Sequence, residues 1–102
     1  MPTRKKIMAP IHPGVTLRED FLAPLGLSVH RLSMELHVPA SRMNDVASGK
    51  RAITADTALR LARFFGTSAQ FWMNLQANYE LEVAEDAVAE EIAQRVNPHR
   101  AA

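Results

Sequence analysis

The sequence predicts an all-α protein with five short helices around one core. Apolar residues recur at helical spacing in five segments, and each segment is bounded by proline, glycine or a capping hydroxyl. A chain of 102 residues has room for one compact domain with short tails. We therefore expect a flexible basic tail at residues 1–10, a helical domain at 11–83 and an acidic extension at 84–102.

The first predicted helix starts at Pro13 and places Leu17 and Phe21 on one face. Pro24 and Gly26 are expected to break it.

The second helix is predicted over residues 29–36, after a hydroxyl N-cap at Ser28. Its apolar stripe contains Val29, Leu32 and Leu36, and Arg31 and Glu35 are spaced for an i,i+4 ion pair. After the turn His37-Val-Pro39, the third helix is predicted over residues 41–48, with Met43, Val46 and Ala47 facing the core and Gly49 ending it.

Two further helices follow the loop that contains Lys50 and Arg51. Thr54 caps the fourth, whose shared face consists of Ala58, Leu61, Ala62 and Phe65, and Gly66 closes it. Thr67 and Gln70 have the spacing of a capping box for the fifth helix, in which Trp72, Leu75 and Tyr79 pack inward.

The residues beyond Leu81 are acidic and could form one more, weak helix that aligns Val88, Ile92 and Val96 and ends at Pro98. An isolated helix of this length is marginal in water, so it requires a packing partner.

Composition excludes several classes of protein. There is no cysteine, which rules out disulfides, thiolate metal sites and cysteine nucleophiles. No apolar run is long enough to cross a bilayer, and no apolar stretch follows Arg4, Lys5 and Lys6 to form a secretory signal, so we expect a cytoplasmic protein. The four histidines form no ligand motif, and no serine lies in a nucleophile motif, so neither a metal, a cofactor nor an enzymatic activity is predicted.

Charge is distributed unevenly along the chain. Residues 1–63 have ten Lys and Arg against five Asp and Glu, net +5, whereas residues 64–102 have two against six, net −4. The basic half is therefore the candidate for binding a polyanion.

The second and third predicted helices, joined by a turn of about three residues, have the helix-turn-helix arrangement. In that arrangement the second helix enters the major groove of DNA. Polar residues remain on its outer face after the core positions are assigned; these are Ser41, Arg42, Asn44, Asp45 and Ser48.

The segment from Leu27 to Lys50, flanked by capped helices, resembles the lambda-repressor-like (Xre) helix-turn-helix family. Three motifs are similar to its HigA antitoxin branch, also known as virulence-associated protein I: Ile11-His-Pro-Gly14, Ile53-Thr-Ala-Asp-Thr-Ala-Leu-Arg-Leu-Ala62 and Phe71-Trp-Met-Asn-Leu-Gln-Ala-Asn-Tyr79. The resemblance spans about residues 11–81.

The resemblance implies a non-catalytic, lambda-repressor-like protein that binds the palindromic operator of its own operon as a homodimer. It also implies a partner, a HigB-type RNase toxin that the protein neutralises. The family's DNA-contacting positions correspond here to Ala40, Ser41, Arg42, Asn44 and Asp45 in the groove and to Ser48, Lys50 and Arg51 near phosphates. Two positions depart from the family pattern: Ala40 is often polar, and His37 stands where the turn usually has glycine.

The chemistry of these side chains suits DNA. Arg42 can donate two hydrogen bonds to guanine, and Asn44 can pair with adenine. Asp45 either selects bases through their amino groups or orients Arg42, three residues earlier. Lys50 and Arg51 are interpreted as phosphate contacts.

Three functions stay open from sequence. An antitoxin needs a DNA surface and a toxin surface, whereas a stand-alone or phage-type repressor needs only the first. A protein-interaction adaptor would leave the groove-facing surface unused.

Overall fold

The computed structural model describes residues 9–100, which form five helices and no strand, as the sequence predicts. The predicted basic tail, with Arg4, Lys5 and Lys6, lies almost entirely outside the described residues. Helix α1 comprises an α-helical turn Pro13–Thr16, a π-helical segment Leu17–Leu22 and a last α-helical turn Ala23–Leu25, and the other helices are α2 Val29–Leu36, α3 Ala40–Ala47, α4 Ala55–Phe65 and α5 Ala69–Arg95.

Pro24 lies inside α1 and does not break it, contrary to the prediction. The π-helical segment before it shifts the hydrogen-bond register, so that the Ala23 amide donates to the Arg18 carbonyl. Pro24 then occupies the start of a new helical turn, where the missing N–H costs little. The helix ends two residues later at Gly26, which has φ 62°.

Helices α2 and α3 form the helix-turn-helix unit. The predicted bounds of α2 are confirmed, and Arg31 Nε lies 2.9 Å from Glu35 Oε2. Helix α3 begins at Ala40, one residue earlier than predicted, and Ser48 is its C-cap. His37, in the turn, has φ 58°, the left-handed conformation that glycine, usual at this position, adopts without strain.

The predicted capping box at the start of α5 is wrong. The N-cap is Ser68, whose Oγ accepts from the Phe71 amide at 3.0 Å. Thr67 instead uses its hydroxyl to accept from Trp72 Nε1 at 2.7 Å. The buried indole needs that acceptor, and the adjacent serine is free to cap the helix.

The core lies between α1, α2, α3, α4 and the first half of α5. The predicted core residues of α3 are confirmed as buried, and Trp72 is completely buried. The buried apolar residues are Leu17, Leu22, Leu32, Leu36, Met43, Val46, Ala47, Ile53, Ala58, Leu61 and Trp72. Phe21 packs beside Trp72 and Phe65, with both ring centroids 4.9 Å from its own.

The acidic extension does not form a separate helix, because α5 runs without a break through 27 residues. A helix of that length is about 40 Å long, which explains the elongated dimensions of 56 × 31 × 22 Å. Its distal half projects from the core, with Leu81 62% and Ile92 50% exposed. Within residues 9–100, no helix has the length and apolarity needed to cross a membrane.

Candidate nucleic-acid interface

Helix α3 divides into a buried face and an outward face. Met43 and Val46 are completely buried, which fixes the rotation of the helix about its axis. On the outward side, Ser41 and Asn44 are exposed, and Ala40, Arg42 and Asp45 are half-buried. The three predicted phosphate-contacting residues, Ser48, Lys50 and Arg51, are exposed just beyond the helix. The structure thus brings the eight predicted residues together in one continuous segment of surface.

Helix α1 holds the C-terminal end of α3 in place. A Cβ atom added to Gly14 would lie 2.2 Å from the Val46 carbonyl oxygen, so glycine allows the two backbones to touch. Arg18 Nη1 donates to the Ala47 carbonyl oxygen at 2.6 Å. A positively charged side chain at this end of a helix also complements its dipole.

The N-terminal end of α3 has no side-chain cap, because its N-cap residue is Pro39. The Arg42 amide bonds to the Pro39 carbonyl at 3.1 Å. The other amides of the first turn keep the partial positive charge of a helix N-terminus, which suits a phosphate group.

Arg42 is held by α4 and not by its neighbour in α3. Its Nη1 lies 2.5 Å from Asp56 Oδ2, which also accepts from Arg60 Nε at 3.0 Å. The hydrogen bonds from Arg42 and then from Arg60 lower the pKa of the Asp56 carboxyl group. Asp56 therefore stays ionised, and it is the carboxylate that contacts Arg42.

Asp45 pairs with Arg51, at 3.2 Å between Oδ2 and Nη2. Asp45 therefore does not orient Arg42 in this structure, and that one of its two predicted roles is wrong. Ser48 Oγ donates to the Asp45 carbonyl at 3.3 Å, and the Lys50 amide donates to the same carbonyl at 2.8 Å. The loop after α3 is therefore tied to the helix's last turn, which places Lys50 and Arg51 beside the outward face.

His12, which contacts Tyr79 of α5, also supports the loop after α3. His12 Nδ1 accepts from the Gly14 amide at 2.9 Å, and the His12 ring meets the Tyr79 ring edge-on at 5.0 Å. Burial lowers the pKa of His12, while its hydrogen bond to the Arg51 backbone raises it. No cluster of three His, Cys, Asp or Glu able to hold a metal ion occurs in the described part of the chain.

The residues that support this surface were not predicted from the sequence. Asp56 and Arg60 were given no role, although their i,i+4 spacing in α4 was a visible signal for an ion pair. Gln76, four residues after Trp72, lies on the same buried face and contacts the backbone of Ile53. The close approach of Gly14 to α3 was not predicted, although Gly14 belongs to the Ile11-His-Pro-Gly14 motif.

The chain matches the helix-turn-helix family model (HTH_3) over residues 17–72. Virulence-associated protein I of Dichelobacter nodosus is 53% identical over 85 residues, which cover 83% of this chain and 79% of that protein. Antitoxin HigA-1 of Vibrio cholerae is 30% identical over 78 residues, covering 76% of this chain and 73% of the relative.

Solved structures match the whole described fold. The antitoxin HigA of Pseudomonas aeruginosa, solved with the higBA promoter, superposes with a TM-score of 0.86 at 45% identity, covering 89% of this chain and 99% of that one. The antitoxin GraA in complex with its operator gives a TM-score of 0.87 at 36% identity, covering 97% and 100%. The chain belongs to the helix-turn-helix family. Within it, the chain falls in the HigA-type antitoxin branch, whose members are regulators and not enzymes.

Proposed function

We propose that this protein is a sequence-specific DNA-binding repressor that binds the palindromic operator of its own operon through α3. The observation that supports this most directly is the outward face of α3. Its polar side chains are exposed while Met43 and Val46 fix the helix from behind, and Lys50 and Arg51 lie beside it. Two relatives of the same fold were solved with promoter or operator DNA.

The proposed contacts follow from donor and acceptor chemistry. Arg42 retains guanidinium N–H groups for a guanine edge while Nη1 contacts Asp56, and Asn44 is suited to adenine. Ala40 and Ser41 lie at the start of α3, and Asp45 can accept from a base amino group. Ser48, Lys50 and Arg51 lie where they can contact phosphates, and these contacts add affinity that falls with salt.

The test is binding of the purified protein to its own promoter fragment and to scrambled DNA at several salt concentrations. We expect tight binding to the promoter that Arg42→Ala abolishes. Arg63→Ala, which removes the same charge from the last turn of α4, is the control and should leave the preference for the promoter intact. Equal, salt-sensitive binding of both DNAs would overturn the proposal.

We further propose that the repressor is a homodimer paired through the distal half of α5. Leu81, Val88 and Ile92 are exposed at helical spacing on a segment that projects from its own core. A pair of recognition helices about 34 Å apart would match a palindrome. Light scattering at micromolar concentration should give a dimer, and Ile92→Asp should give monomer whereas Gln94→Asp should not.

The HigA-type relatives support a second activity, neutralisation of a HigB-type RNase toxin. Co-expression with a toxin-like reading frame from the same operon should yield a stable complex and relieve growth arrest. The alternative is a stand-alone or phage-type repressor without a toxin partner. Absence of such a reading frame would favour that alternative. In either case the site of action is the cytoplasm, on nucleoid DNA.

A further inference from the structure

Asp56 lies at the centre of a set of hydrogen bonds that joins three helices. Its Oδ2 accepts from Arg42 of α3 and from Arg60 of the following turn of α4. Arg60 Nη1 donates in turn to the Leu36 carbonyl at the end of α2, at 2.8 Å. A side chain of the proposed recognition helix is thereby linked to the helix that precedes the turn.

This linkage restricts Arg42 before any DNA is bound. A free arginine side chain samples many rotamers, and ordering it on binding costs affinity. In the structure the Arg42 side chain is 29% exposed, and its Nη1 is directed to a carboxylate that is itself fixed by Arg60. The contact engages one nitrogen of a guanidinium with five N–H donors, and recognition of guanine needs two of them.

The Asp56 carboxylate has a second effect through its charge. Its side chain is 54% exposed, close to the surface proposed to face DNA. A negative charge there opposes phosphates and so weakens DNA binding that does not depend on sequence. Only at the correct operator site does a guanine contact, made by the Arg42 side chain already held in place, compensate for this repulsion.

We propose that Asp56 is a positioning and specificity-determining residue for DNA recognition, acting by holding the Arg42 guanidinium for a guanine edge while disfavouring nonspecific DNA. This inference depends on the proposed function. The effect of Asp56 on folding should be small, because exposed ion pairs stabilise proteins little, a carboxylate in the first turn of a helix stabilises it only modestly, and Thr54 supplies the N-cap of α4.

The experiment compares operators in which each G·C pair of the half-site is replaced in turn. In the natural protein, replacement of the guanine contacted by Arg42 should weaken binding on the order of tenfold. That sensitivity should vanish in Arg42→Ala. Asp56→Asn should lose most of it as well, keep its sensitivity at other positions and bind scrambled DNA more tightly.

Two further variants separate positioning from charge. Asp56→Glu keeps the carboxylate and should restore much of the sensitivity at the guanine. Asp20→Asn removes the same charge from α1 and should leave it unchanged. Melting curves establish that each variant is folded.

The outcomes distinguish this inference from the proposed function. If Asp56→Asn discriminates at the guanine as the natural protein does, the inference is overturned while the repressor stands. An equal loss of sensitivity at the guanine in Asp20→Asn also overturns the inference, since any negative charge would then have the same effect. Unfolding of both Asp56 variants overturns it as well, since the role of Asp56 would then be in folding. If the natural protein does not prefer its promoter at all, both proposals fail.

Discussion

The Gln76 side chain accepts a hydrogen bond from the Ile53 backbone amide, 23 residues earlier, at 2.8 Å between Oε1 and N. Both residues are buried. The Gln76 amide group also donates to Glu80 Oε2 at 2.8 Å, so its orientation is fixed. Through this contact α5 holds the end of the loop that contains Lys50 and Arg51.

Replacement of Gln76 should therefore destabilise the protein and loosen the loop. Gln76→Leu leaves the Ile53 amide buried without an acceptor, at a cost of about 1–3 kcal/mol. Chemical denaturation measures the loss. The control is Gln70→Leu, at an exposed position on the same helix, which should change the free energy of unfolding by less than about 0.5 kcal/mol. Equal stability of the two variants would contradict the role of Gln76.

Gly14→Ala should be strongly destabilising, because the new Cβ would lie 2.2 Å from a backbone oxygen that cannot rotate away. We expect a loss on the order of 2–3 kcal/mol, the upper range for overpacking. Gly66→Ala separates a steric clash from backbone strain. Gly66 has φ 76° and open space around its Cβ position, so its replacement should cost only about 1 kcal/mol. Thermal unfolding of both variants makes the comparison.

His12 should make stability fall in mild acid. Burial lowers its pKa below the usual 6.5 in the folded protein, so the unfolded chain binds the proton more readily. The stabilising contribution is complete above the unfolded pKa and declines as the pH falls through 6.5 toward the folded value. Protonation also removes the acceptor for the Gly14 amide.

The measurement is the melting temperature between pH 7.5 and 5.0. His12→Asn retains a capping oxygen and should flatten the profile over this range. His30→Asn changes an exposed histidine and should not. A profile that is the same in all three proteins would show that His12 is not the group responsible.

Lys50→Ala should weaken binding to operator and scrambled DNA by the same factor, since a phosphate contact contains no sequence information. The slope of log affinity against log salt should decrease by about 1. Lys50→Arg keeps the charge and should retain the slope. A loss confined to the operator would instead assign Lys50 to base recognition.

His37→Gly should stabilise the helix-turn-helix unit. His37 has φ 58°, a conformation that costs residues with a Cβ on the order of 1 kcal/mol. Relief of that strain should raise the melting temperature by about 4–8 °C. His30→Gly, in the first turn of α2, should instead lower it, because glycine loses more conformational freedom on folding than other residues. Both variants lose an imidazole, so that loss cannot explain melting temperatures that change in opposite directions.

Local sequence patterns were sufficient to predict the helix-turn-helix unit but not the contacts that support it. The spacing of Leu32 and Leu36 and the cap at Ser28 placed α2 correctly, since both signals act within one helical turn. The partners of Arg42 and Asp45 are 14 and 6 residues away along the chain, and no local pattern decides which carboxylate meets which guanidinium. Whether Pro24 breaks α1 depends on the π-helical segment before it, which hydrophobic periodicity does not reveal.

The unbroken course of α5 has a consequence for the spacing of operator half-sites. With no hinge between the core and the distal half, two chains paired along that half would hold their α3 helices at a fixed distance and a fixed angle. One base pair inserted at the centre of the palindrome turns one half-site by about 34–36° about the DNA axis. The protein has no flexible joint in α5 to follow that rotation, so the twist would have to be taken up by the DNA.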